Sequence, residues 1–199
     1  ATFEERPREY LRRATAVGLH LEDAVRDGRL QMLYMRPLDL SMDEILCEIG
    51  QKADATGAGL VAIDSLSGLE VALAPHFRES YRESLYRLVR TLTERGVTVF
   101  MTVEASDTYT ELRLSPHAIS FLADDLLLQR YIELDGQLKR MLGVVKMRES
   151  RHSTELRSYE ITSTGFVLGS WLREYRGLTT GIPERTSLWS GDAGAETRG

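Results

Sequence analysis

The chain has 199 residues, 42% hydrophobic and 28% charged, a globular rather than a disordered composition. Its formal charge of −5 argues against a protein that holds nucleic acid by bulk charge. Its single cysteine, Cys47, excludes an internal disulfide framework and cannot by itself make a zinc site.

The chain opens at Ala1 with Thr2-Phe3-Glu4-Glu5 and no initiator Met, and reads as a piece of something longer. Pro7, Tyr10, Leu11, Ala14 and Val17 have helical spacing, with Pro7 early and Gly18 as a stop. Leu30 to Met35 is short, apolar and strand-like. Ser41 and Glu44 form a capping box, and Met42, Ile45, Leu46 and Ile49 follow as one buried helical stripe. Cys47 lies beside that stripe and reads as a small packing residue.

Leu60 to Ile63 is a continuous apolar run bounded by Gly59 and Asp64, which predicts a strand buried on both faces. A long amphipathic helix comes next, with Phe77, Tyr81, Leu85, Leu88, Val89 and Leu92 on one face. Arg78, Arg82, Arg87 and Arg90 are its solvated side, and Gly96 stops it. Val97 to Val103 is a second buried strand. Leu126 to Leu134 and Leu138 to Met147 flank Asp135-Gly136, a strong hairpin signal. Tyr159 to Thr162 and Phe166 to Leu168 suggest another hairpin around Gly165. Strand–helix alternation followed by antiparallel strands is an α/β pattern with a mixed sheet. No apolar run approaches the ~20 residues needed to span a bilayer and no secretory signal is visible, so a soluble, cytoplasmic protein is expected.

Three places can carry chemistry. Asp64 follows an apolar strand, where ligands bind in open α/β sheets; a carboxylate there can hold Mg²⁺ against a phosphate, or simply cap a turn. Glu4 and Glu5 are adjacent carboxylates that can put one on water, or a solvated acidic pair before a helix. Lys146 and Arg148 share one face if they lie on a strand, with Arg151 and His152 close behind; such a cluster suits phosphate, or is an exposed strand end neutralised by Glu149 and Glu155. The four histidines have no metal-ligand spacing. No phosphate loop of the G-x-x-x-x-G-K-[ST] type is present, since Lys52, Lys139 and Lys146 are followed by Ala53, Arg140 and Met147.

The sequence resembles KaiC-type ATPase domains of the RecA-like P-loop branch. The resemblance is carried by Thr2-Phe3-Glu4-Glu5, the stretches at 33–41, 61–67 and 100–104, Val-Lys-Met-Arg at 145–148 with His152, Tyr-Glu-Ile-Thr at 159–162, and 175–183. It covers residues 1–185 and leaves 186–199 as a polar tail. It implies a three-layer α/β fold with a mixed, mostly parallel sheet and C-terminal antiparallel hairpins. It implies that Glu4 and Glu5 are the paired catalytic glutamates and that Asp64 is the Walker B aspartate serving Mg²⁺. Lys146, Met147, Arg148, Ser150 and His152 would form a nucleotide-binding segment, with Lys146 and Arg148 reaching the ATP of a neighbouring subunit. A ring, usually a hexamer, follows, together with a regulatory protein partner.

Three departures stand out. Glu149 replaces the usual Gly, Ala16 stands where some relatives carry a hydroxyl, and the phosphate loop that should precede Thr2 is missing. The expectation is a fragment of an ATP-hydrolysing regulator that binds ATP poorly alone. The alternative is a non-catalytic oligomerising module with a degenerate nucleotide site. A DNA-binding role is weakest, given the acidic charge.

Overall fold

The structure, a computed structural model, describes residues 1–35, 41–72, 81–104, 121–180 and 182–186, with the backbone alone at 71 and 72. Contacts divide these into two compact units. One takes the described residues within Ala1–Asp107, Arg113–Asp124 and Ile161–Val167; the other takes those within Asp125–Glu160 and Leu168–Gly199.

The first unit is built on parallel strands. Strand β1 (Leu60–Ile63) pairs in parallel with β2 (Thr98–Met101). Thr2 bridges in parallel to Asp64 on one side and to Tyr34 on the other, so the lateral order is Tyr34, Thr2, β1, β2. The Thr2 amide donates to the Leu33 carbonyl at 2.9 Å, and the Asp64 amide donates to the Ala1 carbonyl at 2.9 Å. The expected strand at Leu30 to Met35 is reduced to that one bridge at Tyr34.

Helices α1 (Pro7–Ala16) and α2 (Leu21–Arg26) follow the first bridge. Helix α3 (Met42–Thr56) precedes β1, and α5 (Tyr81–Glu94) precedes β2. Ile45, Ile49 and Ala53 of α3 pack with Leu85, Leu88 and Leu92 of α5 and with Ile63 in one buried cluster. The capping box forms as expected: the Glu44 amide donates to Ser41 Oγ at 3.3 Å, and the Ser41 amide donates to Glu44 Oε2 at 2.7 Å. Ser41→Ala removes one of these acceptors and should cost about 1 kcal/mol in chemical denaturation; an unchanged midpoint would show that the cap contributes nothing. Arg82, Arg87 and Arg90 are exposed on α5, while Phe77 and Arg78 lie outside the described residues. Cys47 is exposed rather than packed, and its Sγ accepts from Gln51 Nε2 at 3.0 Å.

Strands β1 and β2 are buried on one face only, which corrects the expectation of strands buried on both. Ile63 is buried and Val61, Val99 and Met101 pack against the core. Leu60 is 59% exposed and Phe100 is 53% exposed, on the opposite face with Ala62 and Thr98. An apolar run reports that a strand is hydrophobic, not which faces are covered, and among the described residues nothing covers this one. The strand ending at Asp64 has a neighbour on each side; among the described residues it is β2 whose outer edge is unpaired.

The second unit holds most of a four-stranded antiparallel sheet in the order β3 (Asp125–Leu134), β4 (Gln137–Met147), β5 (Arg157–Thr162), β6 (Gly165–Trp171). Asp135 and Gly136 have φ of 51° and 73°. Two consecutive left-handed residues make the mirror-image turn that matches strand twist, which is why Asp-Gly serves here. Leu128, Ile132, Leu134, Met141 and Leu178 form the core of this unit. Two short strands, β7 (Tyr175–Arg176) and β8 (Glu184–Arg185), pair near the end. The polar tail lies outside the described residues from 187 onward.

Candidate functional site

Asp64 stands at the carboxyl end of β1, half-buried. Its Oδ1 accepts from Thr102 Oγ1 at 2.6 Å, and Thr102 lies just past β2. Tyr10, from α1, lines the same cavity as Asp64. Burial, and next the nearby Asp64 carboxylate, push the Tyr10 phenol above its ordinary value, while Arg13 pulls the other way. The Asp64–Ser65 peptide bond is cis. Ser65 caps the next helix, α4 (Leu66–Ala72): its Oγ accepts from the Gly68 amide at 3.0 Å. Asp64 is thus left for contacts other than capping, and the turn-cap reading passes to Ser65.

Glu4 and Glu5 follow the short stretch that bridges to Asp64. Adjacent parallel strand ends therefore bring the glutamate pair and Asp64 to the same edge of the first unit. The two glutamates differ in their surroundings. Glu5 is partly buried and forms an ion pair with Arg13 of α1. Glu4 is exposed, and among the described residues it has no ion-pair partner. Its side chain runs along Gly68, where an added Cβ would collide with the Glu4 carboxylate. Gly68 therefore clears the path that Glu4 occupies beside the helix after Asp64.

Lys146, Met147, Arg148, Ser150 and His152 belong to the second unit. Lys146 pairs with Leu126 and Met147 with Asp125, while Val144 pairs with Leu127, so Val145 is an extra residue in β4. This bulge breaks the alternation just before Lys146, and β4 ends at Met147. Lys146 and Arg148 are therefore not i and i+2 neighbours on one strand face, which corrects that expectation: Arg148 and Ser150 lie in an exposed bend. His152 is half-buried in the irregular stretch that follows. Glu155 is paired to Arg157 at 2.6 Å.

A divalent cation fits the donor chemistry at Asp64. A half-buried carboxylate oxygen is a hard ligand of the kind Mg²⁺ takes. Among the described residues no cluster of three or more His, Cys, Asp or Glu can hold a metal alone, so phosphate oxygens and water would complete the shell. Sequence reading missed Arg13, Gly68 and Thr102; only Thr102 carried a signal, since it stands in a stretch of the family resemblance.

Parallel strands with carboxylates at their ends define a RecA-like α/β fold. A crystal structure of a KaiC-like protein from Pyrococcus horikoshii OT3 superposes with a TM-score of 0.73 at 29% identity, covering 85% of this chain and 74% of that one. The chain belongs to the KaiC ATPase family, whose model, described as ATPase: KaiC, matches residues 1–170. The circadian clock protein KaiC3 of Synechocystis is 26% identical over 185 residues, 93% of this chain and 36% of that protein. The circadian clock oscillator protein KaiC of Thermostichus vulcanus is 27% identical over 186 residues, 94% of this chain and 35% of that one. The chain thus spans about a third of these curated relatives. No helix among the described residues is long and apolar enough to cross a membrane.

Proposed function

We propose that the chain supplies the hydrolytic half of an ATP site in a KaiC-like regulatory protein. The observation that carries this reading is the parallel bridge between Thr2 and Asp64, which sets Glu4 and Asp64 at the ends of neighbouring strands. Asp64 serves Mg²⁺, and Mg²⁺ when bound supplies positive charge against the phosphate oxygens. Glu4 accepts the proton of the attacking water through its exposed carboxylate. Glu5, held by Arg13, keeps the start of α1 in place beside it. Lys146 and Arg148, in a segment with Met147, Ser150 and His152, act on the nucleotide of a neighbouring subunit in a ring. This last assignment rests on the family resemblance and on the basic character of the segment. The ring is expected to be a hexamer that signals its nucleotide state to a protein partner.

The test is Mg²⁺-dependent ATP hydrolysis by the full-length protein beside its Asp64→Asn variant. Loss of a metal carboxylate should raise the Mg²⁺ concentration needed for half-maximal turnover by about tenfold or more. A full-length protein that neither binds nor hydrolyses ATP would leave the non-catalytic, oligomerising reading in its place.

A further inference from the structure

The segment that leaves β2 is stitched to the segment that leaves β1. The Thr102 amide donates to the Ile63 carbonyl at 3.1 Å, and the Leu66 amide donates to the Thr102 carbonyl at 2.9 Å. Two residues further on, the Glu104 amide donates to Ser67 Oγ at 3.1 Å. A side-chain bond completes the set: Thr102 Oγ1 donates to Asp64 Oδ1 at 2.6 Å. Ile63 and Leu66 flank Asp64 along the chain. The Thr102 backbone is therefore held on both sides of the residue that its hydroxyl meets.

The bond to Asp64 is short for a hydroxyl donor and has the length typical of bonds to an ionised oxygen. Threonine carries two heavy atoms on Cβ, which restrict its first side-chain torsion. On a backbone fixed in this way, the hydroxyl has little freedom to turn elsewhere. An ionised carboxylate only accepts, with about four lone-pair sites on its two oxygens. A firm donor on Oδ1 restrains the carboxyl plane and leaves sites for a cation. A valine has nearly the same shape and could make each of these backbone bonds. The end of β2 thus has no need of a hydroxyl for its own pairing; the carboxylate beside it does.

We infer that Thr102 is a positioning residue that orients the Asp64 carboxylate for a divalent cation. This rests on the reading of Asp64 as the Mg²⁺ carboxylate. Groups that orient a metal-binding side chain typically change metal affinity 10–100-fold when removed, which sets the scale.

The experiment uses the full-length protein with ADP and Mn²⁺, following the free-ion electron paramagnetic resonance signal against a protein-free ADP control. It compares the unsubstituted protein with Thr102→Val, Thr102→Ser, Asp64→Asn and the double variant of Thr102→Val with Asp64→Asn. Thr102→Val is expected to weaken Mn²⁺ binding about tenfold, and Asp64→Asn more strongly. Thr102→Ser, which keeps the hydroxyl, should recover most of the loss. The double variant should bind no more weakly than Asp64→Asn alone, because a residue that acts through Asp64 has nothing left to act on. Thr102→Ala, which also lacks the hydroxyl, takes the place of Thr102→Val if the valine variant does not fold. If Asp64→Asn weakens Mn²⁺ binding but Thr102→Val does not, whatever its urea midpoint, Thr102 only joins the two segments, and the inference falls while the reading of Asp64 stands. A loss from Thr102→Val that adds in full to that of Asp64→Asn, or that Thr102→Ser shares, also overturns it. If Asp64→Asn leaves Mn²⁺ binding intact, the reading of the site falls and the role of Thr102 with it.

Discussion

Glu4→Gln is expected to slow ATP hydrolysis by the full-length protein about 10²- to 10⁴-fold, the usual contribution of a positioned general base. Nucleotide affinity should be unchanged, because the amide keeps the size of the side chain and an acceptor oxygen. Glu5→Gln should act differently. It breaks the ion pair with Arg13, whose guanidinium side is largely exposed, so the direct energetic cost is small. Its effect on turnover should be the milder of the two, since a carboxylate committed to Arg13 is not the one facing water. Single-turnover hydrolysis with binding measured separately distinguishes the variants. Equal losses from both would mean that the glutamates act as a unit, and a Glu5 variant slower than the Glu4 variant would reverse the assignment. Gly68→Ala offers a geometric counterpart, since the added methyl must push the Glu4 carboxylate aside.

Leu85→Ala is expected to destabilise the first unit by about 2–5 kcal/mol, the range for emptying a well-packed leucine site. Leu85 is 0% exposed, in the middle of α5, and belongs to the cluster that joins α3, α5 and the covered face of β1. Leu138 is the control. It is the same side chain, but 71% exposed at the start of β4, so Leu138→Ala should stay within about 0.5 kcal/mol. Urea unfolding followed by helical circular dichroism reads the difference, because the helices lie in the first unit. A Leu85→Ala midpoint no lower than that of Leu138→Ala would mean that the cluster is not the support of that unit.

Local signals in the sequence carried far. Ser41 and Glu44 cap α3 because the reciprocal bonds lie three residues apart, and Asp135-Gly136 makes the turn because its backbone preference is its own. Asp64 was legible as a strand-end carboxylate for the same reason. What failed depended on partners distant along the chain. The apolar run at Leu60 does not say which face is covered. The pairing of β4 with β3 runs out at Met147, so Arg148 falls in the bend beyond it rather than on a strand face with Lys146. Tyr10 stood only in a helical spacing, since nothing in its own segment places it near Asp64, 54 residues on in the chain. The different surroundings of Glu4 and Glu5 were equally hidden, because two identical neighbours differ only through Arg13 and Gly68.

The two kinds of sheet set different search problems for the folding chain. Strands β3 and β4 meet across a two-residue turn, so their register can be found locally, on the ~1–10 μs scale of hairpin closure. The pairing that unites Glu4 with Asp64 has no such shortcut. Ala1 must find Ala62, 61 residues away, before Thr2 can bridge to Asp64. Loop-closure entropy then comes ahead of any reward from contacts, which makes this the slow step. The carboxylates of the candidate site are therefore assembled late, by the contacts of highest sequence separation described above, while the basic strand end bearing Lys146 belongs to structure that forms early.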